Sequence, residues 1–136
     1  MAYENFGIDI NARSSGDTSA NQYHLMVLST TYTADGCVLA TTAVDMGTGI
    51  WQNNSTQAEN GKLRVVGVTK AVVTVASAAV APGTRLQAST GSAGHLTVYS
   101  LATGHKAVGF ALEALSTGST GIISIFMLPS DGSTST

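Results

Sequence analysis

The side chains of this 136-residue chain that could do chemistry are few: three histidines, one cysteine, one tryptophan and eight acids. A zinc site needs three or four Cys, His or carboxylate ligands converging on one ion. His24, His95 and His105 stand singly and far apart, with no H-x-H or H-E-x-x-H spacing, so they are expected as turn or surface residues and no metal site is predicted. Serines are plentiful, but no G-x-S-x-G elbow raises one as a nucleophile. Gly47-Thr-Gly49 starts like a dinucleotide fingerprint, yet Gln52 stands where the third glycine belongs. Gly61-Lys62 is followed by Leu63 and lacks the upstream glycine of a phosphate loop. The acids are spread over turn positions, a poor basis for the paired carboxylates of glycoside chemistry. The reading is no enzyme and no cofactor. Trp51 alone could mark a binding site, because aromatics stack on sugars and anchor interfaces. An equal reading makes it a strand-end residue covering the mouth of a barrel.

The elements that would position these residues are strands. Charged residues are only 10% of the chain, against about 25% in an ordinary soluble domain, while Thr, Ser, Ala and Gly supply almost half. A formal charge of −2 and the absence of a Lys/Arg cluster argue against nucleic acid. The stretch from Ala71 to Ala81 is too short to span a bilayer, so no membrane is expected. Cys37 has no partner for an internal disulfide, and the N-terminus has no signal-peptide pattern, which points to synthesis in the cytoplasm.

Apolar segments recur at Tyr23–Leu28, Cys37–Ala40, Arg85–Ala88 and Gly121–Leu128, and the faces alternate in Lys62–Val68, His95–Tyr99 and Ala107–Leu112. Turn signals stand before several of them: Asp35-Gly36, Asn60-Gly61 and Pro82-Gly83, the last suited to a type II turn. Thr69 to Val80, rich in Ala and Val, fits strand or helix. These features predict an all-β domain over residues 21–128, a small barrel or sandwich of about eight short strands.

Two ends lie outside that pattern. Residues 1–20 carry Tyr3, Phe6, Ile8 and Ile10 and then a polar hinge, and are read as an extended N-terminal arm that docks on a neighbouring chain. A frayed terminus is the plainer alternative. Residues 129–136 read as a polar C-terminal tail. Gly121–Leu128 is apolar on both faces, as a central or interface strand should be, and left uncovered it would be a liability in a monomer. The residues assigned to a subunit interface are Ile123, Ile125 and Met127, with Trp51, Gln52 and Asn53 from the polar loop beside the tryptophan.

The run Gly49-Ile-Trp-Gln-Asn53, then Glu59-Asn-Gly61, then Arg64-Val-Val-Gly-Val-Thr-Lys70 resembles the central block of the small head-decoration (cement) proteins of tailed bacteriophages. Pro82-Gly-Thr-Arg-Leu86 is similar to the turn that starts their next strand, and Gly104 to Leu128 to their last hairpin. Trp51 stands where those proteins usually have an aliphatic residue. The resemblance spans about residues 20–128. It implies a non-enzymatic virion protein on the outer capsid surface, bound as homotrimers to the major capsid protein at three-fold and quasi-three-fold junctions. There it would stabilise the shell against the pressure of packed DNA, with Tyr3, Phe6, Ile8 and Ile10 as the capsid-binding arm. A carbohydrate- or cell-surface-binding β module of a tail or fibre is the rival reading, supported by Trp51, Tyr99 and the Asn/Thr-rich loops. A small β-barrel hydrolase ranks third.

Overall fold

The computed structural model describes residues 6–29, 36–45, 47–54 and 60–128. Among them are nine strands and no helix: β1 (Gly7–Ser14), β2 (Leu25–Leu28), β3 (Gly36–Leu39), β4 (Gly49–Trp51), β5 (Asn60–Thr74), β6 (Arg85–Ala88), β7 (Leu96–Val98), β8 (Ala107–Ala111) and β9 (Thr120–Met127). The fold is all-β, as the alternation predicts. The window left open between strand and helix continues β5 as far as Thr74, because Ala71 and Val73 face inward while Lys70 and Thr74 face out.

Strand pairing runs β1-β3-β2-β4-β5-β7-β6-β8-β9, with β1 also on β5 and β9 also on β5. Those two extra ladders close the sheet into two five-strand rings that share β5. The first ring is β1-β3-β2-β4-β5, and the second is β5-β7-β6-β8-β9. Each has its own core. Ala12, Met26, Cys37, Trp51 and Leu63 fill the first, with Leu39 and Val65 at its margin. Aliphatic residues from β5 to β9 fill the second, among them Val73, Leu86, Leu96, Val108 and Ile125. Consecutive residues on a strand point to opposite faces, so β2 and β4 serve both cores. Leu25 and Ile50 enter the larger cluster, while Met26 and Trp51 enter the smaller one.

The handover on β5 happens at Gly67. It pairs with Gly7 of β1 on one edge and with Met127 of β9 on the other. Its φ is +108°, and a Cβ there would collide with the backbone of Phe6 and Gly7, so only glycine fits. Residues 7–14 of the expected arm are therefore a strand of this sheet, laddered on β5 from Gly67 to Asn60. Asn60-Gly61, expected as a turn, opens β5 opposite Arg13 and Ala12. Gly61 is needed for another reason: the Trp51 indole lies where its Cβ would be. The Pro82-Gly83 turn is as expected, with Gly83 at φ +89° and the Thr84 N–H donating to the Ala81 carbonyl at 3.0 Å. Tyr3, Asp35 and the C-terminal tail lie outside the described residues.

Candidate functional site

Ile123, Ile125, Met127 and Trp51, assigned from the sequence to a subunit interface, sit inside the chain's own cores instead. Nothing of them is left for a second copy to touch. Gln52 and Asn53 also work within the chain. The Gln52 amide donates to the Ile50 carbonyl and to the Thr69 hydroxyl, both at 2.9 Å, and the Asn53 side-chain oxygen accepts the Lys62 N–H at 2.8 Å. Together they fasten the end of β4 to β5. The indole Nε1 of Trp51 is buried with no hydrogen-bond partner among the described residues.

The other face of β9 is the one that looks outward, and it is apolar too. Residues directly opposite in antiparallel strands share a face. Phe126 is opposite Val68 on β5 and Phe110 on β8, and Phe110 is opposite Arg85 on β6. On the far side of β5 the Val68 N–H donates to the Phe6 carbonyl at 2.8 Å, which sets Phe6 beside Val68. A row of Phe6, Val68, Phe126 and Phe110 thus crosses four strands and ends at Arg85. Phe110 and Phe126 stack with ring centroids 5.3 Å apart and an interplanar angle of 15°. Ile8 is opposite Val66 in the neighbouring row, and Ile122 and Leu128 extend the surface along β9. Phe6 is 70% exposed, Ile8 60%, and Ile122 and Leu128 each 54%. Scattered exposed apolar residues are ordinary, but a contiguous set across one sheet face marks an interaction surface.

Two ion pairs lie on this face, and Arg85 at the end of the row is exposed. Arg64 pairs with Asp9 and also donates through Nη1 to the Val68 carbonyl at 2.6 Å, pinning β1 to β5 beside the bulge between Ile8 and Asp9. Glu113 accepts the Ser124 N–H at 2.6 Å and lies 3.8 Å from the Lys70 ammonium. The Ser124 N–H holds the Glu113 carboxyl below its usual range, with a smaller contribution from Lys70. The surface offers apolar contact with little net charge, which suits a protein partner rather than an anion or a cation.

Phe6, Ile8 and Ile10, expected as docking residues, are all exposed, and Phe6 and Ile8 belong to this face. Phe110, Phe126, Ile122 and Leu128 were not singled out from the sequence. Their signal was the phase of β9: Ser124 shares a face with Ile122 and Phe126, and marks that face as the outer one. Elsewhere the histidines depart from the expected isolation. His24 and His95 meet edge to face with ring centroids 5.0 Å apart, while His105 is held by Ser100 at 2.7 Å. No group of three or more potential metal ligands occurs among the described residues. Burial pushes the Cys37 thiol up to about 11, so it behaves as a small apolar core residue.

No protein-family model matches the chain, and no curated protein matches it by sequence. Among solved structures it is similar to the N base of the head fiber protein gp8.5 of bacteriophage phi29, with a TM-score of 0.60 and 13% identity. The match covers 92% of this chain and 97% of that one. At that identity the likeness is one of fold, and it extends over nearly the whole of both chains.

Proposed function

We propose that this chain is a structural, non-enzymatic protein of a tailed-phage head that docks on the outer surface of the capsid shell as a decoration, or cement, protein. The observation that carries the reading is the apolar face across β1, β5, β9 and β8, built from Phe6, Ile8, Val68, Phe110, Ile122 and Phe126. The likeness in fold to the base of a phage head fiber supports it, as does the resemblance of the Gly49–Lys70 block to decoration proteins. In this reading the partner is the major capsid protein. Homotrimers bridge shell subunits at three-fold and quasi-three-fold junctions, and many weak contacts sum through avidity.

The sugar-binding alternative loses its main support, since Trp51 is buried in the first ring and has no face to stack on a glycan. The proposed role is tested by co-sedimenting the purified chain with expanded shells that lack it. Saturable binding near one copy per shell subunit is the expected result. The paired substitutions Phe6→Ser and Phe126→Ser should leave the thermal transition nearly in place and abolish that binding. Deleting the first twelve residues is a poor substitute, because it removes most of β1 and opens the first ring. Absence of wild-type binding at low and moderate salt would overturn the proposal.

A further inference from the structure

The two rings touch along a seam beside β5, and a pair of imidazoles sits on it. His24 precedes β2 of the first ring and His95 precedes β7 of the second. Their rings meet at 5.0 Å with an interplanar angle of 66°. The backbone on either side is knitted across the same seam. The Leu25 N–H donates to the Gly94 carbonyl at 2.6 Å, and the Gly94 N–H donates to the Ala40 carbonyl at 2.7 Å. Gly94 has φ +73°, and a Cβ there would press on His24 and Leu39 at under 3.0 Å. Tyr23, next to His24, has φ +67°, an uncommon state for a bulky residue, held by bonds to Trp51 and Val72. The seam is thus tight, locally strained and centred on two titratable groups.

We infer that the His24–His95 contact is a proton-sensitive latch between the two rings, closed when the pair carries at most one positive charge and loosened when both imidazoles are charged. The hydrogen bonds of the pair tolerate either state. His24 Nδ1 lies 3.2 Å from the Gln22 carbonyl, which can only accept, so that nitrogen already carries its proton. His95 Nδ1 lies 2.7 Å from the Thr74 hydroxyl, which lies 3.0 Å from the Thr120 hydroxyl, and hydroxyls donate or accept as needed. What double protonation changes is repulsion across the seam. Thr74 on β5 and Thr120 on β9 do not titrate. Among the described residues no Asp, Glu, Lys or Arg makes an ion pair with either ring.

Burial, and secondarily the neighbouring His24, hold the affinity of His95 for a proton below its ordinary value. A group lowered in this way contributes stability above its unfolded pKa of about 6.5, and that contribution is lost as pH falls through the folded value. The latch therefore opens on the acid side of neutrality.

The test is amide exchange of the free full-length chain at pH 7.5 and pH 5, corrected for intrinsic exchange chemistry and followed at Leu25 and Gly94. Opening of those two amides should rise at the lower pH, by about tenfold for each unit by which folding depresses the proton affinity of His95. Amides in the β5–β9 ladder should change far less. His24→Phe keeps a ring at the contact without a charge and should shrink the difference to the part that burial of His95 alone sets. If that variant folds poorly, an NMR titration of the wild-type imidazole protons decides: two separated steps for the pair support the latch. A single step at ordinary values overturns it. So do unchanged opening at Leu25 and Gly94, or an equal change in His24→Phe.

Discussion

The first ring is built around one residue, the second around many. In the first, the Trp51 indole fills the space between β4 and β5, lying against Gly61, with Met26, Cys37, Leu63 and Ala12 about it. In the second, small and medium aliphatics from five strands share the filling, and the β5–β9 ladder runs unbroken from Gly67–Met127 to Thr74–Thr120. Closure differs in the same sense. The first ring is completed by a short parallel pairing of Arg13 and Ser14 with Gly36 and Cys37. A core with one dominant side chain has one point of failure, whereas a distributed core loses volume in small steps. The outward apolar face spans the junction, since it draws on β1 from one ring and β8 and β9 from the other.

The largest expected effect is at that single point. Trp51→Ala should cost about 3–5 kcal/mol, the range for removing a buried aromatic. Urea unfolding followed by circular dichroism measures the loss. Amide exchange then tests the comparison itself: protection in β1 and β3 should fall to the level of local opening, while the β5–β9 ladder stays the most protected part. Equal loss in both rings would mean that they unfold as one unit. Gly61→Ala comes next. It forces a methyl into the space held by the Trp51 ring, which costs about 1–3 kcal/mol by overpacking. The same measurement on the double variant Trp51→Leu with Gly61→Ala should recover part of that loss, since the flat ring that required the glycine is gone.

Much of this fold was readable in the chain because alternation alone locates a strand. The Cys37–Val38, Leu63–Val65 and Leu96–Val98 segments fell where expected, and Gly83 announced its turn. Phase was less readable. Gly121–Leu128 is apolar on both faces, and a one-residue choice exchanges core for surface. The odd set Ile123, Ile125 and Met127 was read as interface and is core. In the even set Ile122 and Leu128 are exposed and Phe126 is half-buried. Ser124 was the discriminating residue. Long-range closure could not be read at all. Residues 7–14 look like a free arm because six of the eight are exposed, and only pairing with β5, some fifty residues away, makes them a strand. The meeting of His24 and His95 is likewise a property of the seam and not of spacing.

The smallest effect tests whether the second ring is as robust at its rim as in its core. Glu113, just past β8, is the carboxylate that accepts the Ser124 N–H of β9 and lies near Lys70 of β5. Folding lowers its proton affinity, chiefly through that N–H. Its contribution is therefore present above the unfolded value of about 4.3 and disappears as pH falls through the lower folded value. Glu113→Gln should lower stability at pH 7 by less than about 1 kcal/mol, because the pair is solvent-exposed. The difference between the two proteins should shrink towards zero when their urea midpoints are compared at pH 3. A gap that persists at pH 3 would mean that the side chain acts by packing on Ser124. A gap well above 1 kcal/mol at pH 7 would mean that the rim of the second ring, like the centre of the first, depends on one residue.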